Sequence, residues 1–284
     1  MAVKILAGIV LYNPEIERLK ENIDGICEQV DGIVLIDNGS ENLNIVLNNI
    51  CDYKNIEIIK NAENLGIAAA LRKIMDYAIK KEYDWVITLD QDSVCEKGLI
   101  MAYSEYFEME SVGMLTCNII DRNISIERGF EDNQKYREVK MCITSAACMN
   151  VKTYQNCDGF DDKMFIDGVD FDICFNLKKY GYKIIKINYD GILHEIGRGK
   201  DIKILGKCFR IYNHSPWRNY YMTRNAIYLL KKYPDELSVF EFIKKEIITE
   251  ILILVYEKMS IRKLINRWKG IIAGIKLQKE VIKK

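Results

Sequence analysis

Two carboxylates two residues apart close the run Trp85-Val86-Ile87-Thr88-Leu89-Asp90-Gln91-Asp92-Ser93. The first five residues are mostly apolar and read as a buried strand, so the acids fall where the strand ends. In an open α/β sheet, ligands bind just beyond the carboxyl ends of the strands. If strand geometry persists through Asp92, the period of two points both side chains the same way. Two hard oxygen donors so arranged suit a divalent cation, Mg2+ or Mn2+, that carries phosphates. The same pair also fits a plain surface strand end and turn.

A second acidic stretch covers residues 158–172. Beyond Asp170, Phe171, Cys174, Phe175 and Leu177 recur at roughly helical spacing. This sets Asp170 at or just before a helix N-terminus, and residues 178–181 supply a stop. Asp167 and Asp172 fit caps or dipole partners of that helix. His194, one of two histidines in the chain, precedes a polar, glycine-bearing loop. A neutral imidazole beside two carboxylates would make a third metal ligand.

The elements that must position these groups alternate. Residues 4–11, 32–36, 56–59 and 85–89 are apolar runs that read as strands. The first is continuous enough for a central parallel strand buried on both faces. The second ends in Asp37-Asn38-Gly39-Ser40, a turn with a carboxylate at the strand's end. Ile16, Leu19, Ile23 and Ile26 recur at helical spacing, and Asn61-Ala62-Glu63-Asn64-Leu65-Gly66 leads into a helix from Ile67. Strand and helix alternating at this tempo predict a parallel, doubly wound α/β sheet. Residues 112–117, 141–145 and 181–187 read as further strands, with a polar, irregular stretch at 121–140. No GxGxxG follows the first strand and no GxxxxGK[ST] occurs, so neither a dinucleotide fingerprint nor a P-loop cradles a phosphate. A metal at Asp90 and Asp92 is the natural substitute.

Composition sets the outer bounds. The chain has 284 residues, 49% hydrophobic and 29% charged, with a formal net charge of zero. That suits a globular protein with a large core, and nothing marks a nucleic-acid binder. Nine cysteines occur without a CxxC pair, and two histidines are too few for a zinc cluster. With no secretory leader, the expectation is a cytoplasmic protein with reduced thiols. The longest apolar run near the C-terminus, Ile251 to Tyr256, is fenced by Glu250 and Glu257 and is too short to span a bilayer.

An ordered set of segments resembles the inverting family 2 glycosyltransferases of GT-A fold, closest to bacterial rhamnosyltransferases that build cell-surface polysaccharides. The segments are Val10-Leu11-Tyr12-Asn13-Pro14, Ile36-Asp37-Asn38-Gly39-Ser40, Asn64-Leu65-Gly66-Ile67-Ala68-Ala69-Ala70 and Leu89-Asp90-Gln91-Asp92-Ser93. Phe160-Asp161-Asp162, the run from Phe165 to Cys174, Leu193-His194-Glu195-Ile196-Gly197 and Arg218-Asn219-Tyr220-Tyr221 with Arg224-Asn225 complete it. The resemblance implies a GT-A domain over residues 1–225 and leaves 226–284 as a helical extension. It implies that Tyr12, Asp37, Asn64 and Gly66 line a nucleotide pocket. Asp90 and Asp92 would hold ribose and a metal–diphosphate, with His194 joining them, and Asp170 would be the catalytic base. The implied donor is a nucleotide sugar, dTDP-L-rhamnose first and UDP-sugars next, and the acceptor a glycan or polyprenyl-linked glycan. Two departures stand out: Arg72 where many relatives have Asn, and Ala146 where many have Gly.

Residues 210–221 combine aromatic, polar and basic side chains, which suits sugar stacking and diphosphate binding, or equally a helix packing its aromatics inward. Asp167, His214, Trp217 and Arg218 are therefore acceptor-side candidates. From Pro234 on, the chain reads as helical, with Phe240, Ile243, Ile247, Ile251 and Leu254 on one stripe. The basic tail from Ile261 fits either a peripheral contact with the inner face of the membrane or helix packing, including a homodimer contact. A sugar nucleotidyltransferase and a non-catalytic glycan-binding scaffold are the competing readings of the whole.

Overall fold

The computed structural model describes the backbone of residues 2–121, 130–131, 133–194, 200–204 and 207–277. The chain divides into two compact units, Met1–Lys163 with Asp170–Glu195, and Met164–Val169 with Ile196–Lys284.

The first unit is built on the strands β1 (Ile5–Leu11), β2 (Gly32–Asp37), β3 (Ile56–Lys60) and β4 (Trp85–Asp90), which pair in parallel in the order β3-β2-β1-β4. Every residue of β1 and β2 is buried, the burial on both faces that their unbroken apolar runs imply. Helices α1 (Ile16–Ile26), α2 (Leu43–Ile50) and α3 (Ile67–Lys80) make the crossovers. On α1, Leu19, Asn22, Ile23 and Ile26 face inward, the apolar stripe expected with one polar residue inserted in it.

Past β4 the chain adds β5 (Val94–Cys95), α4 (Leu99–Ser104), β6 (Val112–Asp121), β7 (Tyr136–Glu138) and β8 (Ala147–Asn150). It then adds α5 (Val151–Gln155), α6 (Val169–Lys179) and β9 (Lys183–His194). Among the described residues the sheet has nine strands in the order β3-β2-β1-β4-β8-β6-β9-β5, with β7 on β9. Residues 141–145, expected as a strand, are not one: the strand is β8, and it starts only after Ala146 takes φ 59. The left-handed turn there aims Thr144 and Ser145 inward instead of continuing the ladder. Of the polar stretch 121–140, residues 122–129 and 132 lie outside the described residues, and β7 falls in the remainder.

The glycine that the family resemblance leads one to expect at 146 would suit that turn, since left-handed backbone disfavours a Cβ. The alanine is held there by its neighbours: its N–H donates to the Thr88 carbonyl at 2.8 Å and its carbonyl accepts from the Tyr103 hydroxyl at 2.6 Å. Arg72, the other departure, pairs with Asp162 on two atoms.

The second unit holds a hairpin of β10 (Lys200–Ile204) and β11 (Lys207–Ile211) and three helices, α7 (Pro216–Lys232), α8 (Val239–Tyr256) and α9 (Ser260–Lys276). Ser215 and Ser238 cap α7 and α8 through their hydroxyls. No helix among the described residues is long and apolar enough to cross a membrane.

Gly39 fixes the join between β2 and the loop ahead of α3. Its φ is 84, and a Cβ there would strike the backbone of Glu63 and Asn64. Gly39→Ala is expected to cost about 1–3 kcal/mol, read as a lower urea midpoint at unchanged m-value.

Candidate active site

Chain order β1, β2, β3 and then β4 reverses direction across the sheet at β1. The gap between β1 and β4 is therefore the switch point where a parallel α/β sheet opens a crevice. Register puts Asp37 beside Leu11 and Asp90 beside Val10, so a carboxylate ends the strand on each side of β1.

Asp90 is anchored through its backbone. Its carbonyl accepts from Asn22 Nδ2 at 2.6 Å, and its N–H donates to Ser145 Oγ at 3.2 Å. Ser145 in turn meets Ser93 Oγ at 2.9 Å. Strand geometry does not persist to Asp92. A turn follows β4, closed by the Ser93 N–H on the Asp90 carbonyl at 3.1 Å, and Asp92 reaches the solvent side of that turn. The two acids still share one locality. Asp90 is pushed up to about 7, first by burial, then by the charge of Asp170, then by that of Asp92. Like charges and a poor solvent both disfavour the anion.

Asp170 sits in the first turn of α6, as its helical spacing predicts. Thr144 holds it by both N–H and hydroxyl, which donate to the same Asp170 Oδ1 at 2.9 and 2.7 Å. Acids 80 residues apart in the sequence thus meet at the β4–α6 end of one sheet. The backbone of His194 ends β9; its side chain, and residues 195–199 of the motif that follows, lie outside the described residues. Among the described residues no three His, Cys, Asp or Glu side chains are grouped closely enough to hold a metal by themselves.

The nucleotide-side candidates are stitched to the same sheet edge. Tyr12 exchanges two hydrogen bonds with Gln91, its N–H donating to Oε1 at 2.8 Å and its carbonyl accepting from Nε2 at 3.3 Å. Its ring is half exposed. Asp37 is buried and accepts from the Ser40 N–H. Asn64 Oδ1 accepts from the Gly66 N–H at 2.9 Å and from Asn38 Nδ2 at 3.0 Å. Gly66, at φ 86, starts α3. Asn38 is the node of this loop: buried, it also donates to the Gly66 carbonyl and accepts from Asn61 Nδ2 and the Leu65 N–H.

Sequence reasoning missed Asn22, Asn38, Thr144 and Ser145. Asn22 carried a signal, a polar residue at a core position of an amphipathic helix. Asn38 lies in the turn segment after β2 and Thr144 and Ser145 just ahead of Ala146, and none of the three was assigned a role.

In the second unit, Asp167, His214, Trp217 and Arg218 gather around the start of α7. Asp167, at φ 64, is not a helix cap; it pairs with Arg218, whose Nη2 donates to Oδ1 at 2.9 Å and whose Nε lies at 3.2 and 3.1 Å from the two oxygens. The His214 ring stacks on Tyr212, and burial followed by the Arg218 charge holds its pKa below the usual value. Trp217 packs edge-on against Phe165 and Tyr221 and remains half exposed. The aromatics of this stretch pack on one another while one face stays open, combining the two alternatives that composition left.

A doubly wound sheet with acids converging at its switch point is a nucleotide-binding architecture. The model of glycosyl transferase family 2 matches residues 7–161, and the chain belongs to that family; it is a glycosyltransferase. It is similar to the dTDP-rhamnosyl transferase RfbF of Shigella flexneri, 29% identical over 293 residues covering 95% of this chain and 97% of that protein. Among solved structures, S. aureus TarS in complex with UDP-GlcNAc superposes with a TM-score of 0.62 at 12% identity, over 95% of this chain and 81% of that one. GalNAc-T7 with UDP, GalNAc and Mn2+ gives 0.60 at 13% identity, over 81% of this chain and 48% of that one, so the chain spans about half its length. These likenesses show the fold, which is GT-A with a C-terminal helical part.

Deleting the Thr144 hydroxyl removes a donor from a carboxylate. Thr144→Val is expected to cost about 1.5–3 kcal/mol of stability in chemical denaturation, with Thr144→Ser close to wild type.

Proposed function

We propose that the protein moves L-rhamnose from dTDP-L-rhamnose onto a hydroxyl of a growing or lipid-linked surface glycan, with inversion. The observation that carries the chemistry is the meeting of Asp90, Asp92 and Asp170 at the β1–β4 switch point. The similarity to RfbF across nearly the whole of both chains supports the donor.

The donor set fits a divalent cation. It is made of oxygen atoms, and it is crowded enough to push Asp90 up to about 7. Such a set suits Mg2+ or Mn2+, which keep phosphate and water among their ligands. Asp90 and Asp92 would hold the ion, with His194 as a further candidate. When bound, it would offset the charge of the diphosphate.

The remaining roles fall to the chain's own residues. Tyr12, Asp37, Asn64 and Gly66 border the base and ribose, on a loop that Asn38 keeps in place. Asp170 takes the proton from the acceptor hydroxyl as its oxygen attacks the anomeric carbon on the face opposite the diphosphate. The carbon–oxygen bond to the diphosphate breaks, the new glycosidic bond forms, and nucleoside diphosphate leaves. A single displacement inverts the centre and needs no carboxylate nucleophile. Asp167, His214, Trp217 and Arg218 are proposed for the acceptor, with the open Trp217 ring offering a stacking face.

Asp170→Asn tests the assignment. Transfer should fall by about 10²–10⁴-fold, the usual share of a general base, while thermal shifts with dTDP-L-rhamnose and Mn2+ stay as in wild type. Full turnover by the variant would remove Asp170 from this role. In the same thermal-shift assay wild type should respond to dTDP-L-rhamnose more than to any UDP-sugar. The product should be nucleoside diphosphate; pyrophosphate would point to a nucleotidyltransferase.

A further inference from the structure

Helix α9 turns an unusual face inward. Its buried residues are Lys263, Arg267, Gly270 and Gly274, spaced four, three and four apart. The glycines let it lie directly on α7: a Cβ on Gly270 would collide with Thr223 Oγ1 and the Tyr220 carbonyl, and one on Gly274 with the Arg224 carbonyl. The two cations are neutralised where they sit. Lys263 Nζ pairs with Glu257 at 2.7 Å, and Arg267 donates to both oxygens of Glu246 at 2.8 and 2.6 Å and to Asn219 Oδ1 at 2.9 Å. Close backbone approach and paired charge therefore dock this helix; Leu264 and Ile271 are half-buried at its flank, and the other large apolar side chains take no part.

Those side chains point the other way. Ile261, Ile265, Trp268, Ile272 and Ile275 are 49–69% exposed. Their spacing of four, three, four and three gathers them on the side of the helix opposite the glycines. The stripe of α8 faces solvent too: Phe240, Ile243, Ile247, Ile251 and Leu254 are 49–72% exposed. The two stripes meet in an open groove of about 590 Å³ lined by Ile227 and Leu230 of α7, Ile243 and Ile247 of α8, and Trp268 and Ile275 of α9. A continuous apolar surface of this kind marks an interaction site.

Charge selects the occupant. Arg262, Lys269 and Lys276, seven residues apart, run along one shoulder of the α9 stripe, and all are exposed. No acidic residue occurs between Glu257 and Glu280; of the two acids that line the groove, Glu246 is committed to Arg267 and Glu250 is half-buried beside that pair. A second copy related by a two-fold axis would present the same patch and set cations against cations. An anionic bilayer offers both an apolar layer and negative headgroups, and a helix with this pattern lies in its interface. We propose that the outward face of α8 and α9 docks on an anionic membrane surface, with Trp268 and the isoleucines in the headgroup–acyl boundary and the shoulder cations against the phosphates. This surface lies wholly within the second unit and is independent of the donor and the base assigned above.

Flotation of the full chain with phosphatidylcholine vesicles, with and without phosphatidylglycerol, tests it. Wild type should float with the anionic vesicles, float poorly with neutral ones, and be released by high salt. Ile272→Asp, which changes an outward side chain, should reduce binding to anionic vesicles by about tenfold or more. Lys269→Glu should weaken binding to anionic vesicles and leave the neutral ones unaffected. Both variants should melt as wild type does. Vesicle binding that survives Ile272→Asp, or a lipid-free dimer in sedimentation velocity that the same change dissociates, would overturn the proposal, the latter in favour of a second copy.

Discussion

The crowding of carboxylates at the end of β4 is the constraint on which the site rests. A half-buried acid flanked by two others is an unfavourable arrangement in the absence of a cation, and the loss of solvent around it contributes more than either neighbour. The folded pKa of Asp90 lies near 7 against a reference of 3.8. A raised folded value means that this group opposes folding as pH climbs: the cost is absent below the reference value and full above about 7. The sheet tolerates it because β1, β2 and β4 bury nearly every side chain, and burial of that extent outweighs one disfavoured ionisation. A bound cation would reverse the sign of the local electrostatics, which ties the proposed chemistry to the stability of the fold.

The rest of the first unit keeps those acids from relaxing apart. Asn22 and Ser145 grip the Asp90 backbone from opposite elements, and Thr144 grips Asp170 with two donors. Gln91, between the two acids of the motif, spends its amide on Tyr12 and so locks the end of β4 to the end of β1. Asn38 does the same for the loop before α3. Several of these polar groups are buried, and their hydrogen bonds fix one geometry because breaking them is costly; Asn22 Oδ1 alone among them is a buried atom left without a hydrogen-bond partner.

The parallel core was legible because strands buried on both faces leave unbroken apolar runs, as residues 5–11 and 32–37 do. Asp170 was legible from the helical spacing after it. The strand expected at 141–145 failed because a single left-handed residue, Ala146, redirects the chain, and apolar content carries no record of that. The α8 stripe shows the limit of periodicity in another way. Spacing identified one face of the helix correctly but could not say whether that face meets the core or solvent, and on α9 the inward face is made of glycines and paired cations. The roles of Asn38, Thr144 and Ser145 were invisible for the same reason as the turn at Ala146: they come from tertiary contacts that no local pattern encodes.

The most direct test of this account is the carboxyl titration of Asp90, followed by carbon NMR on metal-free protein in wild type and in Asp170→Asn. The account predicts a midpoint near 7 that falls when the Asp170 charge is removed. A midpoint in the ordinary aspartate range, indifferent to that substitution, would mean that the two acids do not share a site.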